Sequence, residues 1–418
     1  MNRVEKLISE ICPEGVPFVA LGSIAQVANR GVDKVAKADE GEVFLLNFMD
    51  VYKNREITPN HLHAKTTANS NQIRDCDLRV GDIIITPTSE TRDDLAHAAV
   101  VAMPLPKTVY SYHVMRIRIL NQDLVDSKFL AYQFRSRHLQ TQILSASNGI
   151  TRFGLTKPKW ESLLIQIPPL EIQKEIVRIL DAFTELEAEL EAEQEARKIQ
   201  YEFYHKKLVG FGKSDEEVNW STVQDVCADK FWLMPATPKF EINGEIPYVT
   251  SKNLSDGSID FKSKKMISHE SYRKISKNRT IAPGDILIGM IGTIGEVGHV
   301  QPNDLPFYGQ NMYLLRLDPL VVDTNYFLQF INSAEVRHHF TSVKHNSSQG
   351  YLKAEHIENL RIPLPPLSEQ KAIAKVLDTF KELTTNLTYG LPAEISSRRK
   401  QYEYYRNKLL TFKELQTS

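Results

Sequence analysis

Cysteine is scarce in this 418-residue chain. The three present, Cys12, Cys76 and Cys227, are far apart and odd in number. That argues against a disulfide framework and against a structural zinc site. No apolar run approaches the length of a membrane span. The start, MNRVEKLISEICPEG, is amphipathic and charged, without the apolar core of a secretory signal. A cytoplasmic, reducing setting with no membrane partner is the expectation. Catalytic signatures are also lacking. The twelve histidines form no HExxH or comparable metal spacing, so no metal site is expected. GFGKS at 210–214 fails as a phosphate loop, because Lys207 stands where its first glycine is required. Neither Pro-Pro pair follows Asn or Asp. Ile167 and Leu364 precede them, so neither is the site at which a methyltransferase holds a flipped adenine. Net charge is only −1, so any basic surface must be local. Residues 1–165 carry 20 Lys+Arg against 18 Asp+Glu, whereas 166–212 carry 6 against 10.

What is present is a duplication. IPPLEIQKEIVRILDAF at 167–183 returns as LPPLSEQKAIAKVLDTF at 364–380, nine of seventeen positions identical at an offset of 197. Prolines end a strand and suit a helix entry. Glu171 and Glu369 fall in the first turn, where the helix dipole favours an acid. Ile172, Ile176, Ile179, Phe183, Leu186 and Leu190 then alternate at steps of four and three, as do Ile373, Val376, Phe380, Leu383 and Leu387. Such a seam expects a partner helix, and we read the two copies as pairing antiparallel. Both helices resume with a shared signature, QYEFYHKKL at 200–208 and QYEYYRNKL at 401–409, now offset by 201. The four-residue insertion lies around NLTYGLPAEI, where Gly390 and Pro392 should interrupt the second helix. An unbroken first helix from Leu170 to Leu208 would span roughly 58 Å.

The segments before the helices correspond too. RVGDIIIT at 79–86 matches APGDILIG at 282–289, FLLNFMDV at 44–51 matches YVTSKNL at 248–254, and VYSYHVMRIRI at 109–119 resembles FYGQNMYLLRL at 307–317. These are short strands with Gly/Asp turns. The expected fold is α+β. Two similar α/β domains, 1–166 and 213–363, alternate with spacer helices at 167–212 and 364–418 that pair as an antiparallel coiled coil with internal pseudo-twofold symmetry.

A variable domain, then PPLxxQKxI, then a long helix ending in QYEYYRxKLL, all repeated once, resembles the specificity subunit of type I restriction–modification systems. The resemblance covers essentially the whole chain and is most specific in the spacers. It implies that each globular part is a target recognition domain for half of a split duplex DNA sequence. It implies that the helix pair sets the gap and docks two methyltransferase subunits, with restriction subunits joining that core. No cofactor would be bound by this chain. The complex would use S-adenosylmethionine in the methyltransferase and ATP with Mg in the restriction subunit. Two other readings stay open, a self-sufficient enzyme and a coiled-coil adaptor without a nucleic-acid role.

Candidate DNA contacts follow from local charge. Between 128 and 159 stand Lys128, Arg135, Arg137, Arg152, Lys157 and Lys159, with no acid. Cations on phosphates supply salt-dependent affinity. An ordinary solvated helix face is the plain alternative, with Phe129, Tyr132 and Phe134 in the core. In the loop SNGITRFG, Thr151 and Arg152 are candidates, and Arg152 suits a guanine edge. Thr88, Ser89, Thr91 and Arg92 follow a strand end in TPTSETRDD, equally readable as a surface turn. In the second domain Lys262, Lys264, Lys265, Arg273, Lys274, Lys277 and Arg279 stand against one acid, Glu270. Thr293 lies in the glycine-rich GMIGTIGEVG. Ser347, Ser348 and Gln349 occupy the place of the SNGITRFG loop, with Gln349 suited to adenine. An exposed polar loop is the alternative there.

Overall fold

The computed structural model describes residues 3–209, 219–255, 257–277, 279–304, 306–346, 350–386 and 389–416. The chain forms two compact units, Met1–Leu190 with Ile395–Ser418, and Glu191–Glu394. Each unit therefore takes one of the two globular domains together with part of each spacer. Among the described residues no helix is long and apolar enough to cross a membrane.

In the first unit a five-stranded sheet runs in the order Ala25–Ala28, Met115–Ile119, Ile83–Ile85, Ala98–Val101, Glu56–Ile57. A three-stranded sheet holds Lys65–Ala68, Gly41–Leu46 and Thr108–Tyr110, the last two parallel. The second unit repeats the plan. Its sheets are Cys227–Leu233, Met312–Leu317, Ile286–Gly289, Val297–His299, and Lys265–Ile267, Ile246–Thr250, Tyr308–Gln310. Its last two strands are again parallel. The segments matched in the sequence are thus structural equivalents.

The Gly-Asp turns explain their own repetition. Gly81 and Gly284 have φ of +88° and +92°, a region that costs little only without a Cβ. The next residue is a buried aspartate that accepts a backbone N–H, from Arg79 in one copy and Ala282 in the other, both at 2.7 Å. Each carboxylate is then gripped by two nitrogens of one arginine, Arg118 on Asp82 and Arg316 on Asp285, at 2.7–2.8 Å. Such forked pairs are the strong kind. The strand that follows is buried on both faces. Ile83 and Ile85 enter one core and Ile84 another, as Ile286 and Ile288 enter one and Leu287 another.

The repeated helix start is a clamp. Gln173 is fully buried. Its oxygen accepts from Asp126 N at 2.8 Å, and its amide donates to Leu124 O at 2.9 Å and Pro168 O at 2.7 Å. Gln370 does the same with Asp323 N (2.8 Å), Val321 O (3.2 Å) and Pro365 O (2.8 Å). Asp126 and Asp323 in turn cap the helices Ser127–Gln133 and Thr324–Ile331. One glutamine per copy therefore ties the spacer to its globular domain.

The first spacer is one helix, Leu170–Leu208. The second is two, Leu367–Thr385 and Leu391–Leu409, interrupted where Gly390 stands. In the first unit Ile172 and Ile176 share a core with Leu409, Leu410 and Phe412. Phe183 stacks on Tyr405 at 5.5 Å, and Arg399 pairs with Glu187 at 2.7 Å. Rising numbers on one helix meet falling numbers on the other, so the pairing is antiparallel. In the second unit Gln194 bonds Thr384 O at 3.4 Å and Tyr204 meets the Phe380 ring at 6.4 Å. Tyr201 and Leu208 join the core of Ile373, Ala374 and Leu377, again antiparallel.

Ile172 and Ile176 are buried, and Ile179, Phe183, Leu186 and Leu190 half-buried, along the first seam. In the second copy Ile373 is buried and Phe380 half-buried, but Val376 and Leu383 are about half exposed. The seam there runs through Gln370, Ala374, Leu377 and Thr384 instead. This helix packs on its own globular domain through Thr324–Ile331 as well as on the first spacer, and that turns its buried stripe. Leu387 lies outside the described residues. Ile395, Tyr402 and Leu409 form a seam in the last helix that the sequence reading did not pick out.

Candidate nucleic-acid interface

In the first unit the two polar loops of the sequence reading converge. Thr88–Ser89 pairs antiparallel with Phe153–Gly154, which joins segments more than sixty residues apart into a two-stranded ribbon. Arg152 Nε donates to Thr88 Oγ1 at 3.0 Å, and the Arg92 guanidinium lies 5.0 Å from the Phe153 ring centre. Such stacking holds a cation in place while leaving its edge available. Thr91, Arg92, Thr151 and Arg152 are exposed, while Ser89 is buried and accepts from Thr91 N at 3.4 Å. The tip is rigid. Gly149 has φ +145°, and a Cβ there would stand 1.9 Å from Arg152 O. Ile150 beside it is 94% exposed.

A third segment joins this surface. Val32 bridges Ser111, which brings Lys34 near His113 and Tyr112. Burial, then the positive charges of Lys34 and Arg152, push the His113 imidazole below its ordinary value. Lys34, Arg152 and the exposed ring of Tyr112 are therefore all neighbours of His113. Lys34 sits in RGVDKVAK and Tyr112 in VYSYHVM, and no periodicity connects those stretches.

The remaining cations of 128–159 go elsewhere. Lys128 pairs with Asp181 at 3.0 Å and with Glu56. Arg135 is half-buried and donates to Leu95 O at 3.4 Å. Arg137 is exposed, its N–H bonded to Asn407 Oδ1 at 3.3 Å. These three face the spacer helices. Lys159 caps the carbonyl of Ala146 at 2.7 Å, and Lys157 pairs with Glu161 at 3.5 Å.

The second unit has a matching element. Its core strand ends at Gly289, and the turn beyond carries Thr293, half-buried. Ile291 bridges Tyr351, and Leu352 N donates to Met290 O at 3.0 Å. The turn is therefore joined to the segment after helix Ala334–Asn346, as in the first unit. Ser347, Ser348 and Gln349 lie outside the described residues. The basic stretch occupies a different part of this unit. Lys262 and Lys264 precede the edge strand Lys265–Ile267. Arg273 and Lys274 project from helix His269–Ser276, and Lys277 ends it. Lys265 rests on the Phe240 ring at 4.2 Å and Arg279 on Phe231 at 5.5 Å.

Both units thus present a hydroxyl on a clamped turn, with guanidinium donors beside it in the first unit and an exposed basic stretch elsewhere in the second. Residues 13–201 and 216–397 match the family model described as the type I restriction modification DNA specificity domain. The chain belongs to that family. Its role is DNA specificity, exercised through two specificity domains, one in each compact unit. It is similar to the type I restriction enzyme specificity subunit S.HindORF215P of Haemophilus influenzae, 32% identical over 273 residues. That match covers 63% of this chain and 68% of the relative. The EcoR124I/EcoR124II specificity subunit of Escherichia coli is 32% identical over 262 residues, which is 59% of this chain and 61% of that relative. Among solved structures, the HsdS subunit from Thermoanaerobacter tengcongensis shares the fold at a TM-score of 0.54 and 18% identity, covering 96% of this chain and 98% of that one. A chain from a type I restriction–modification assembly does so at 0.64 and 18%, covering 95% and 97%.

Proposed function

We propose that this chain is the non-catalytic specificity subunit of a type I restriction–modification complex. Each specificity domain reads one half of a bipartite duplex target. The paired spacers fix the gap and dock two methyltransferase subunits, and restriction subunits join that core. The chain binds no cofactor of its own. S-adenosylmethionine serves the methyltransferase, and ATP with Mg the restriction subunit. The observation that carries this reading is the ribbon of Thr88, Ser89 and Phe153–Gly154 with Arg152 upon it, built again in the second unit as the Ile291–Tyr351 bridge. In the first unit Arg92, Arg152 and Lys34 supply phosphate and base-edge contacts. In the second, Thr293 and the exposed cations from Lys262 to Arg279 do so. Arg–guanine forks give specificity, and the other cations give affinity that falls with salt.

Hydroxyl-radical footprinting of the chain assembled with its methyltransferase subunits tests this. Two protected patches separated by an accessible gap are expected. One continuous patch, or no protection, contradicts it.

A further inference from the structure

A cavity of about 340 Å³ lies within the first unit, between the recognition domain and the spacer helices. Three arginines from separate elements reach it: Arg55 after helix Phe48–Lys53, Arg135 after helix Ser127–Gln133, and Arg406 in Leu391–Leu409. Arg55 donates only to neutral hydroxyls, Thr184 Oγ1 at 2.9 Å and Tyr402 OH at 2.7 Å. Arg135 has the weak bond to Leu95 O at 3.4 Å. Arg406 lies 5.4 Å from the Tyr402 ring centre, and its Nε is buried without a hydrogen-bond partner. Among the described residues none of the three has a carboxylate within ion-pairing distance. Their cationic neighbours do, Lys128 with Asp181 and Arg399 with Glu187.

Six cationic side chains and four carboxylates line the cavity, a surplus of two positive charges, and Asp94 behind the wall also acts on Arg135. Arg55 is exposed at the rim, whereas Arg135 and Arg406 are half-buried and the Arg406 Nε is fully so, and a charge drawn even partly out of water favours a counter-ion. Burial, and next the charge of Arg406, push Arg135 below its ordinary value, so these two guanidiniums oppose one another. A group carrying about two negative charges would cancel the surplus. A carboxylate offers two acceptor oxygens. A phosphate offers several in a tetrahedral array, and guanidinium forks approaching from three directions match it.

We propose that the Arg55, Arg135 and Arg406 cavity is a phosphate-binding site. Two sources share that chemistry, a free phosphate or nucleotide and a backbone phosphate of bound DNA. The DNA source rests on the proposed function, and the free source does not. The cavity wall favours DNA. His97 bonds Asp94 at 2.7 Å, and Asp94 accepts from Ser89 at 3.4 Å, so the wall is continuous with the reading ribbon.

The test uses the full chain, wild type and with Arg406→Gln, Arg406→Lys and Arg135→Gln. Thermal midpoints are taken in phosphate-free buffer and with inorganic phosphate or ATP added. The slope of DNA affinity against salt is measured beside them. For the free source, phosphate or ATP raises the wild-type midpoint, and Arg406→Gln weakens the apparent affinity at least tenfold. Arg406→Lys retains part of it. For the DNA source, Arg406→Gln lowers the salt slope by about one. Without phosphate, Arg406→Gln and Arg135→Gln should fold as well as the wild type, since each relieves the like-charge contact. Equal phosphate effects in all chains together with an unchanged salt slope overturn the site. Absence of any DNA binding by the wild type would count against the proposed function, and the phosphate arm would still decide the site.

Discussion

Replacing Gln173 by Ala should loosen the first recognition domain from its spacer and leave the second domain untouched. Gln173 makes three hydrogen bonds while fully buried, to Asp126 N, Leu124 O and Pro168 O. The substitution orphans all three backbone groups. A buried polar group stripped of its partner costs about 1–3 kcal/mol, so the loss should be about 3–5 kcal/mol after relaxation. That is a large share of the ~5–15 kcal/mol that holds a typical domain. Gln370 has the same three kinds of partner at 2.8–3.2 Å, so Gln370→Ala should cost about the same in the second unit. Urea unfolding reports the two units separately through Trp160 in the first and Trp220 and Trp232 in the second. Amide exchange gives a local reading. Gln173→Ala should speed exchange at Asp126 N–H, and Gln370→Ala at Asp323 N–H, each about a hundredfold or more with the other unchanged. Gln173→Glu keeps the acceptor but sets a carboxylate against two carbonyls, so at neutral pH it should be worse than Ala. A loss below about 1 kcal/mol, or faster exchange at both aspartates together, would refute the clamp.

Arg152→Ala should weaken or relax one half-site by about 1–3 kcal/mol and leave the other intact, as read by binding to duplexes altered one half at a time. Four residues inserted at 188–196 should lengthen the gap between half-sites by about two base pairs, from about 6 Å of added helix, without changing their sequences. Arg316→Ala strands the buried Asp285 carboxylate and should cost about 3–5 kcal/mol in the second unit, measured by urea midpoint. Acid should also weaken that unit through His205. Burial pushes its imidazole below the ordinary value despite the bond to Gln329 O at 3.1 Å. Its contribution is full above the unfolded value and falls as pH drops through about 6.5, because the unfolded chain takes up the proton first. His205→Gln should flatten the change in urea midpoint between pH 7.5 and 5.5.

The duplication was legible because it rests on helix period, on Pro-Pro entries and on the Gly-Asp turn, all local in sequence. The work of Gln173 and Gln370 was not, since their partners lie about 47 residues earlier. Lys128, Arg135 and Arg137 looked like one basic surface with Arg152. Adjacency along a helix does not fix a face, and Asp181, 53 residues on, takes Lys128. Val376 and Leu383 were misassigned because a two-helix seam was assumed where the helix has two partners. The ribbon of Thr88–Ser89 with Phe153–Gly154 is two residues long and too short to have a period. Its loops were candidates separately, and only the fold brings them together.

The account stands on two reading heads carried by one chain. Mapping modified adenines genome-wide, in cells that make this chain and its partner subunits, tests it most directly. The expected result is a motif of two specified blocks around a fixed unspecified gap, with Arg152→Ala relaxing one block alone. A single continuous motif, or modification that persists unchanged without this chain, would contradict it.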